Sequence, residues 1–350
     1  MGESPGAAAA TPGQGADGAR EGGEDPSPCG RTTPFPFRLR LPVIAAPMFL
    51  VSGPALVIAA ARAGILGAFP TANCRSAGEL EIWLSEISGA LGASGAWAVN
   101  LVTHSSNREL EAHLALIARY RPPVVITALG SPRPAIEAAA DWGGLVLADV
   151  VSLPLAEKAI AAGAHGIVCV SAGAGGHTGT LSPFAFAAEV RSRFRGIVAL
   201  AGGIATGAGV AAAIAAGADL VYVGTRFIAA TESLAPPGYK AMVVNAGLED
   251  LCISAAITGT PASWLLPSLA AHGLDRGMLE GAGAGARSYA SAAEAARRWR
   301  DLWSAGQGVG LVRAVEPVAA IVADLEAEMR KAAGRLESWV DKSRTVHLCK

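Results

Sequence analysis

The sequence predicts an α/β fold, a (β/α)8 TIM barrel with a C-terminal lid or insert subdomain. Eight short apolar runs between residues 43 and 223 have the length and composition of strands that are buried on both faces. Segments with helical periodicity separate these runs, so each strand–helix–strand unit makes its strands parallel. A doubly wound open sheet is the alternative, but no Gly-x-Gly-x-x-Gly follows the first strand, where a dinucleotide-binding fold needs it.

Four regions are predicted along the chain. Residues 1–36 are expected to form a disordered tail, because Gly, Ala, Pro, Ser and acids leave little to bury. Residues 37–248 form the barrel, residues 249–304 a lid or insert, and residues 305–350 C-terminal helices that pack on the barrel. The predicted strands are Val43–Met48, Ile65–Phe69, Trp97–Leu101, Val124–Thr127, Leu145–Asp149, Gly166–Ser171, Ile197–Ala201 and Leu220–Val223. The predicted helices are Pro54–Ala63, Ala77–Leu91, Asn107–Tyr120, Pro134–Trp142, Pro154–Ala162, Pro183–Arg193, Thr206–Ala216, Ala292–Trp303 and Val318–Lys331.

Bulk composition limits the classes of partner. The chain of 350 residues is 51% hydrophobic and has a formal net charge of −1, which gives no reason to expect nucleic acid or an anionic membrane as a partner. Its five cysteines show neither a Cys-x-x-Cys pair nor zinc-ligand spacing, so we expect a reducing compartment and no metal site. No apolar run approaches the ~18 residues that span a bilayer, and the N-terminus does not look like a secretion signal, which predicts a cytoplasmic protein. Composition carries no information on the oligomeric state.

Two glycine turns follow the last two predicted strands. Ala201-Gly202-Gly203-Ile204 follows the seventh strand, and Gly224-Thr225 follows the eighth. Loops at these positions commonly hold a phosphate in this fold, since glycine lets backbone N–H groups approach an anion. The helix that begins near Thr206 is expected to add the positive end of its dipole. Glycines that only shape tight turns are the alternative, but two such loops on adjacent strands favour the phosphate of a mononucleotide or a sugar.

A histidine stands in the longest glycine loop, after the sixth strand. His177 is surrounded in sequence by Gly173, Gly175, Gly176 and Gly179, so we expect an imidazole with little local packing and an open approach. An unperturbed imidazole titrates near pH ~6.5, which suits a general base. The alternative is a structural hydrogen-bond donor, which is the interpretation that we give to most of the other histidines.

Other strand ends carry further polar or adaptable side chains. His104 follows the third strand and is a weaker catalytic candidate. Met48, Asn100, Thr127 and Asp149 stand at the ends of the first, third, fourth and fifth predicted strands, and the Asn100 amide can offer a donor and an acceptor to a heterocycle. No carboxylate pair, Ser/His/Asp order or metal-ligand cluster competes with this set.

Taken together, six motifs resemble those of the nitronate monooxygenases, formerly called 2-nitropropane dioxygenases. The resemblance extends from about residue 42 to residue 312, and each motif alone is weak. The motifs are Ala46-Pro47-Met48, Val99-Asn100-Leu101, Ala174-Gly175-Gly176-His177, Ala201-Gly202-Gly203-Ile204, Val223-Gly224-Thr225-Arg226-Phe227 and Trp303-Ser304-Ala305-Gly306-Gln307-Gly308.

The resemblance implies an FMN-dependent barrel that oxidises alkyl nitronates with O₂ to a carbonyl compound and nitrite, without nicotinamide. Neutral nitroalkanes are a further implied substrate. The implied catalytic residue is His177, which would take the α-proton of a nitroalkane or steady the anionic nitro group. The residues implied in FMN binding are Met48, Asn100, Gly175, Gly176, Gly202, Gly203, Tyr222, Val223, Gly224 and Thr225.

The sequence also departs from the family, and alternatives stay open. Many relatives have Gln at Val170, Glu at Gly173 and Gln at Tyr222, and Ser263-Trp264 replaces the residues that shape the family's substrate site. The Gly-Gly-His loop also resembles that of flavin-dependent enoyl-acyl-carrier-protein reductases, which use NAD(P)H and a thioester substrate. A flavin-free, phosphate-binding barrel isomerase or aldolase is the third alternative, although no strand end carries the Schiff-base lysine that is typical of an aldolase.

Overall fold

A closed barrel of eight parallel strands forms the centre of the protein, which confirms the predicted fold class. The computed structural model describes Phe35, residues 37–281 and residues 299–347. The barrel strands are β1 (Val43–Ala45), β2 (Leu66–Pro70), β3 (Trp97–Val102), β4 (Val124–Ala128), β5 (Leu145–Val150), β6 (Gly166–Val170), β8 (Ile197–Ala201) and β9 (Leu220–Val223). The barrel closes where β1 pairs with β9, with Ala45 opposite Val223. All carboxyl ends therefore lie at one mouth of the barrel.

Helices connect the strands and cover the outside of the barrel, as the alternating pattern predicts. They are α1 (Pro54–Arg62), α2 (Ala77–Leu91), α3 (Leu110–Tyr120), α4 (Arg133–Ala139), α5 (Leu153–Ala161), α6 (Pro183–Arg193), α7 (Gly207–Ala215) and the short α8 (Thr225–Ile228). Two begin at hydrogen-bonded N-caps, where Ser76 accepts from the Glu79 N–H and Thr206 accepts from the Gly209 N–H. Most predicted boundaries agree with the structure within about three residues.

Strand β1 is shorter than predicted, because the chain turns away from the barrel after Ala45. The Ser52 hydroxyl donates to the Ala46 carbonyl oxygen (3.1 Å) and accepts from the Met48 N–H (3.0 Å). Asn73, from a 3₁₀ turn after β2, binds the same turn through the Met48 and Ser52 carbonyl oxygens (3.2 and 2.7 Å). The predicted strand residues up to Met48 therefore form a rigid loop at the barrel mouth.

The lid region contains a small antiparallel sheet, β10 (Leu251–Ser254) beside β11 (Ala262–Leu265), after helix α9 (Pro237–Asn245). Its third strand is β7, the dipeptide Gly176–His177 of the glycine loop, which pairs with β11. Helices α10 (Leu266–Ala270) and α11 (Arg276–Gly281) follow β11. Most of the predicted helix Ala292–Trp303, and the predicted tail except for Phe35, lie outside the described residues.

The C-terminal helix α12 runs from Val318 to His347 and is longer than the predicted Val318–Lys331. Its apolar face packs on the barrel's outer core, which contains Val318, Ile321, Val322 and Leu325. A carboxylate oxygen of Glu328 accepts a hydrogen bond from the Gly207 N–H at the start of α7 (2.6 Å). Among the described helices, none is both long and apolar enough to cross a membrane.

Candidate functional site

The floor of the barrel mouth carries a polar cluster of three side chains, Asn100, Asp149 and Tyr222. They project from β3, β5 and β9, and the Asn100 amide donates to Asp149 Oδ2 over 3.4 Å. The Tyr222 hydroxyl is close enough to Asp149 to affect its ionisation. Nevertheless, Asp149 Oδ1 and the Tyr222 hydroxyl are buried and have no hydrogen-bond partner among the described residues. Buried polar atoms without partners are rare, so this cluster needs an explanation.

Burial changes the ionisation of both acidic groups in this cluster. It raises the pKa of Asp149 from 3.8 to about 7, and the nearby polar hydroxyl of Tyr222 opposes this rise. The pKa of Tyr222 lies well above 10, first because of burial and then because of the nearby Asp149 charge. Asp149 therefore changes its charge near neutral pH, whereas Tyr222 stays protonated. Sequence reasoning noted Asp149 only as a residue at a strand end and gave it no role.

The rim of the floor on the β1 side is formed by the Met48 loop and Gly224. A Cβ atom placed on Gly224 would lie 3.7 Å from Met48 Sδ, so these two predicted residues are neighbours. The Val223 side chain is fully buried on the outer face of the barrel, and its carbonyl oxygen accepts from the Ala46 N–H (3.0 Å). Only the backbone of Val223 is therefore oriented to contribute to a site at this rim.

The glycine turn after β8 lies against the histidine loop. Gly202 and Gly203 have φ angles of +138° and +66°, which favour glycine, and the Gly203 N–H donates to the Gly173 carbonyl oxygen (2.9 Å). That N–H is already engaged, so a phosphate at this turn would use other donors. The expectation that the start of α7 presents its dipole to a phosphate is wrong, because Glu328 binds the Gly207 N–H there.

A segment that sequence reasoning left without a role, residues 305–307, joins these loops. The Gly306 N–H donates to Thr225 Oγ1 (2.9 Å), and the Gln307 N–H donates to the Gly173 carbonyl oxygen (2.9 Å). A Cβ atom on Gly175 would lie 2.6 Å from the Gly306 nitrogen, so these two backbones are in direct contact. The motif around Gly306 was part of the family resemblance, but sequence alone could not show that it connects the two glycine turns to the histidine loop.

His177 lies in strand β7, and its side chain is exposed. Its ring makes an edge contact with Trp299, with a centroid distance of 5.3 Å, and Trp299 stacks on the buried Trp264 at 4.5 Å. Protein atoms surround the imidazole on the other sides, and this partial burial lowers its pKa below 6.5. The approach from the cleft is open as predicted, but the expected lack of local packing is wrong because the lid supplies an indole. In contrast, His104 Nδ1 interacts with Ser106 of its own loop (2.8 Å).

These features fit a planar heterocyclic cofactor with a phosphate tail. The side chains that face the barrel interior around the floor are small, namely those of Ala46, Val170 and Ala201. The unpartnered polar atoms of Asp149 and Tyr222 are available there for a heterocycle. Glycine turns at the rim leave backbone close to the cleft. No group of three or more His, Cys, Asp or Glu side chains that could hold a metal ion occurs in the described part of the chain.

A family model described as nitronate monooxygenase matches residues 85–328. The chain belongs to this family. A nitronate monooxygenase of Paraburkholderia phytofirmans is 29% identical over 350 aligned residues, which cover 86% of this chain and 95% of the relative. A (3aS,4S,5R,7aS)-5-hydroxy-7a-methyl-1-oxo-octahydro-1H-indene-4-carboxyl-CoA dehydrogenase of Rhodococcus jostii is 30% identical, over 63% of this chain and 61% of the relative. The predicted family is confirmed.

Solved structures agree with this membership. FabK from Thermotoga maritima superimposes with a TM-score of 0.74 at 27% identity, covering 86% of this chain and 96% of that protein. A nitroalkane oxidase from Streptomyces ansochromogenes gives a TM-score of 0.71 at 27% identity, covering 85% of this chain and 98% of the other. Like other members of the nitronate monooxygenase family, this protein is a flavin-dependent oxidoreductase, and the family acts on small-molecule substrates with O₂.

Proposed function

We propose that the protein is an FMN-dependent enzyme that oxidises alkyl nitronates, and neutral nitroalkanes as a second substrate, with O₂ to a carbonyl compound and nitrite. The observation that carries the proposal is the exposed position of His177, in a loop that is hydrogen-bonded to the glycine turn after β8, in a member of the nitronate monooxygenase family. A bound flavin supplies a redox centre that takes electrons from the nitronate and passes them to O₂.

The proposed role of His177 is to accept the α-proton of a neutral nitroalkane. A base must be unprotonated to do this, and partial burial lowers the pKa of His177, so its imidazole is neutral at pH 7. The edge contact with Trp299 restricts the orientation of the ring. A nitronate has already lost the α-proton, so its oxidation does not need this step.

The proposed flavin site uses the polar floor and the glycine rim. Asn100 and Tyr222 would contact the ring, Met48 and Gly224 would lie at its edge, and the backbone of Gly175 and Gly176 would line it beside His177. Gly202, Gly203, Val223 and Thr225 would surround the phosphate. Thr225 Oγ1 accepts from the Gly306 N–H, which leaves its hydroxyl hydrogen to donate to an anion.

The test of the reaction combines cofactor identification with two substrates. Flavin released by heating the purified protein is identified by chromatography and mass spectrometry, and we expect FMN. The holoenzyme is then assayed with ethyl nitronate, nitroethane and NADPH, with O₂ consumption and nitrite formation as readouts. We expect nitrite from ethyl nitronate without NADPH. A holoenzyme that oxidises NADPH but produces no nitrite would overturn the proposal.

The phosphate assignment has its own test at Gly203, where the φ of +66° also tolerates Asn or Asp. Gly203→Asp places a carboxylate in the turn, whereas Gly203→Asn has nearly the same shape without the charge. We expect Gly203→Asp to weaken FMN binding by about tenfold or more through repulsion, and to leave the affinity for riboflavin, which has no phosphate, nearly unchanged. Gly203→Asn is the control for both ligands. If the two variants bind FMN equally well, the phosphate is not at this turn.

A second candidate function is an NAD(P)H-dependent oxidoreductase that acts on a thioester. It is favoured by the similarity to the Rhodococcus jostii CoA dehydrogenase, and the solved FabK structure covers 86% of this chain. This candidate predicts rapid anaerobic bleaching of the bound flavin by NADPH. The first candidate predicts bleaching by ethyl nitronate instead, so an anaerobic spectrum taken after each addition separates them.

A further inference from the structure

The buried carboxyl group of Asp149 has no role in the proposed oxidation, yet it lies at the floor of the same cleft. Its Oδ1 atom has no hydrogen-bond partner among the described residues, and the same holds for the Tyr222 hydroxyl. Folded proteins rarely leave such atoms unsatisfied, because the lost hydration is then uncompensated. A ligand that supplied the missing partners would remove this deficit.

The three side chains of the cluster define what that ligand would be. Tyr222 offers an O–H donor, ionised Asp149 offers an acceptor, and the Asn100 amide has a second N–H besides the one directed at Asp149 Oδ2. Donor, acceptor and donor are complementary to an imide, in which one N–H stands between two carbonyl groups. The oxidised isoalloxazine ring of a flavin has one N–H, and it belongs to an imide.

We propose that Asp149 recognises the imide edge of the bound flavin, accepting its N–H while Asn100 and Tyr222 donate to the flanking carbonyl oxygens. The inference rests on the proposed function in one respect, that the ligand is a flavin. It adds a residue that the family resemblance did not assign. It also makes flavin binding depend on the charge of one carboxyl group.

Asp149 gains or loses its charge within the pH range in which enzymes commonly work. Burial raises its pKa to about 7, so the flavin-free protein holds Asp149 largely protonated below that pH. Tyr222 on β9 is the titratable side chain that acts on Asp149, and it stays protonated. The other neighbours at the floor, Asn100 on β3, Val170 on β6 and Ala201 on β8, do not titrate. A ligand that binds only ionised Asp149 therefore binds more tightly as the pH rises towards 7.

The test measures riboflavin affinity of the flavin-free protein between pH 5.5 and pH 8.5 by fluorescence quenching. Riboflavin is used because the phosphate of FMN itself titrates near pH ~6. We expect wild-type affinity to be about tenfold or more weaker at pH 5.5 than at pH 8.5. Asp149→Asn removes the titration and should give a flat profile. Tyr222→Phe should weaken binding several-fold and keep the steepness of the pH dependence, with its midpoint moved to higher pH, because the Tyr222 hydroxyl opposes the rise in the Asp149 pKa. His177→Asn controls for the other titratable side chain in the cleft and should keep the wild-type slope.

The outcomes separate this inference from the proposed function. A wild-type protein that binds neither riboflavin nor FMN overturns both. A wild-type protein that binds riboflavin with a flat pH profile overturns the role of Asp149 alone, and so does an Asp149→Asn variant that keeps the wild-type slope. The role of Asp149 is supported if riboflavin affinity has the same slope against pH in wild type, Tyr222→Phe and His177→Asn, and if only Asp149→Asn loses this slope. Circular dichroism and unfolding curves of each variant show whether the binding change comes from loss of the fold.

Discussion

Asp149→Asn should stabilise the flavin-free protein at neutral and alkaline pH. The folded state raises the pKa of this carboxyl group from 3.8 to about 7. Each pKa unit corresponds to roughly 1.4 kcal/mol, so ionised Asp149 costs the folded state up to ~4 kcal/mol. Because the Asp149 residue is partly exposed although its Oδ1 atom is buried, we expect about half of this value.

The sign of the pH dependence follows from the raised pKa. The folded state holds the Asp149 proton more tightly than the unfolded state does, so the cost is absent below pH ~4 and increases as the pH rises. Above the folded pKa of about 7 the cost is constant. The stability difference between Asp149→Asn and wild type should therefore grow in favour of the variant by about 1–3 kcal/mol from pH 4.5 to pH 8.

The assay is urea unfolding of flavin-free wild type and Asp149→Asn at four pH values across this range. The matched control is Asp219→Asn. The Asp219 carboxylate forms an ion pair with Arg191 and accepts from the Val198 N–H (2.9 Å). Its loss leaves the Arg191 guanidinium without that partner and should destabilise the protein at neutral pH. If the stability difference between wild type and Asp149→Asn does not change with pH, the carboxyl group is not desolvated and the reasoning about the floor fails.

Three other perturbations test the catalytic histidine, its indole neighbour and the packing of the C-terminal helix. His177→Asn should slow turnover of neutral nitroalkanes by ~10²–10⁴-fold and turnover of preformed nitronates much less. The control His104→Asn should have a modest effect on both substrates. Equal, large losses of His177→Asn on both substrates would mean that His177 binds the anionic nitro group and is not the base. Trp299→Ala should admit water and raise the pKa of His177 towards 6.5, which the pH profile for nitroalkanes would detect as an acid limb shifted to higher pH. Gly207→Ala brings a Cβ to 2.0 Å from the Leu325 carbonyl oxygen, so it should cost ~3 kcal/mol or more in unfolding experiments. Its control is Gly334→Ala on the same C-terminal helix, where nothing lies within 4 Å, which should stabilise by ~0.5–1 kcal/mol.

The barrel could be predicted from sequence because its strands are buried on both faces and its helices are amphipathic. Both features produce local patterns that need no knowledge of the partner strand. Strand β1 shows the limit of this reasoning, since Ala46-Pro47-Met48 continues the apolar run although the backbone turns after Ala45. The turn is stabilised by Asn73, and a contact between residues this far apart leaves no periodic signal.

The lid sheet could not be predicted for the same reason. Strand β7 is the dipeptide Gly176–His177, which has no strand propensity, and it joins the sheet only because Ala262 and Ser263 pair with it. A third case is the start of α7, where the dipole argument considered only the helix itself. Glu328, which accepts from the Gly207 N–H, lies 121 residues further along the chain. Sequence identified the residues of each loop correctly, but the partners of their backbone groups are tertiary information.

Asp149 Oδ1 and the Tyr222 hydroxyl, at the floor of the proposed cofactor site, are among the buried polar atoms that lack a hydrogen-bond partner in the described part of the chain. A fold selected only for stability would place apolar side chains at Asp149 and Tyr222, because most of the other side chains that fill the barrel interior are apolar. The same barrel binds another buried carboxylate, that of Asp219, with an arginine and a backbone N–H. The structural carboxylate of Asp219 therefore has hydrogen-bond partners within the protein, whereas the Oδ1 atom of Asp149 at the floor of the cleft has none among the described residues. Such a local departure from stability is expected where a ligand completes the hydrogen bonds, which is why the floor is the most informative place to change this enzyme.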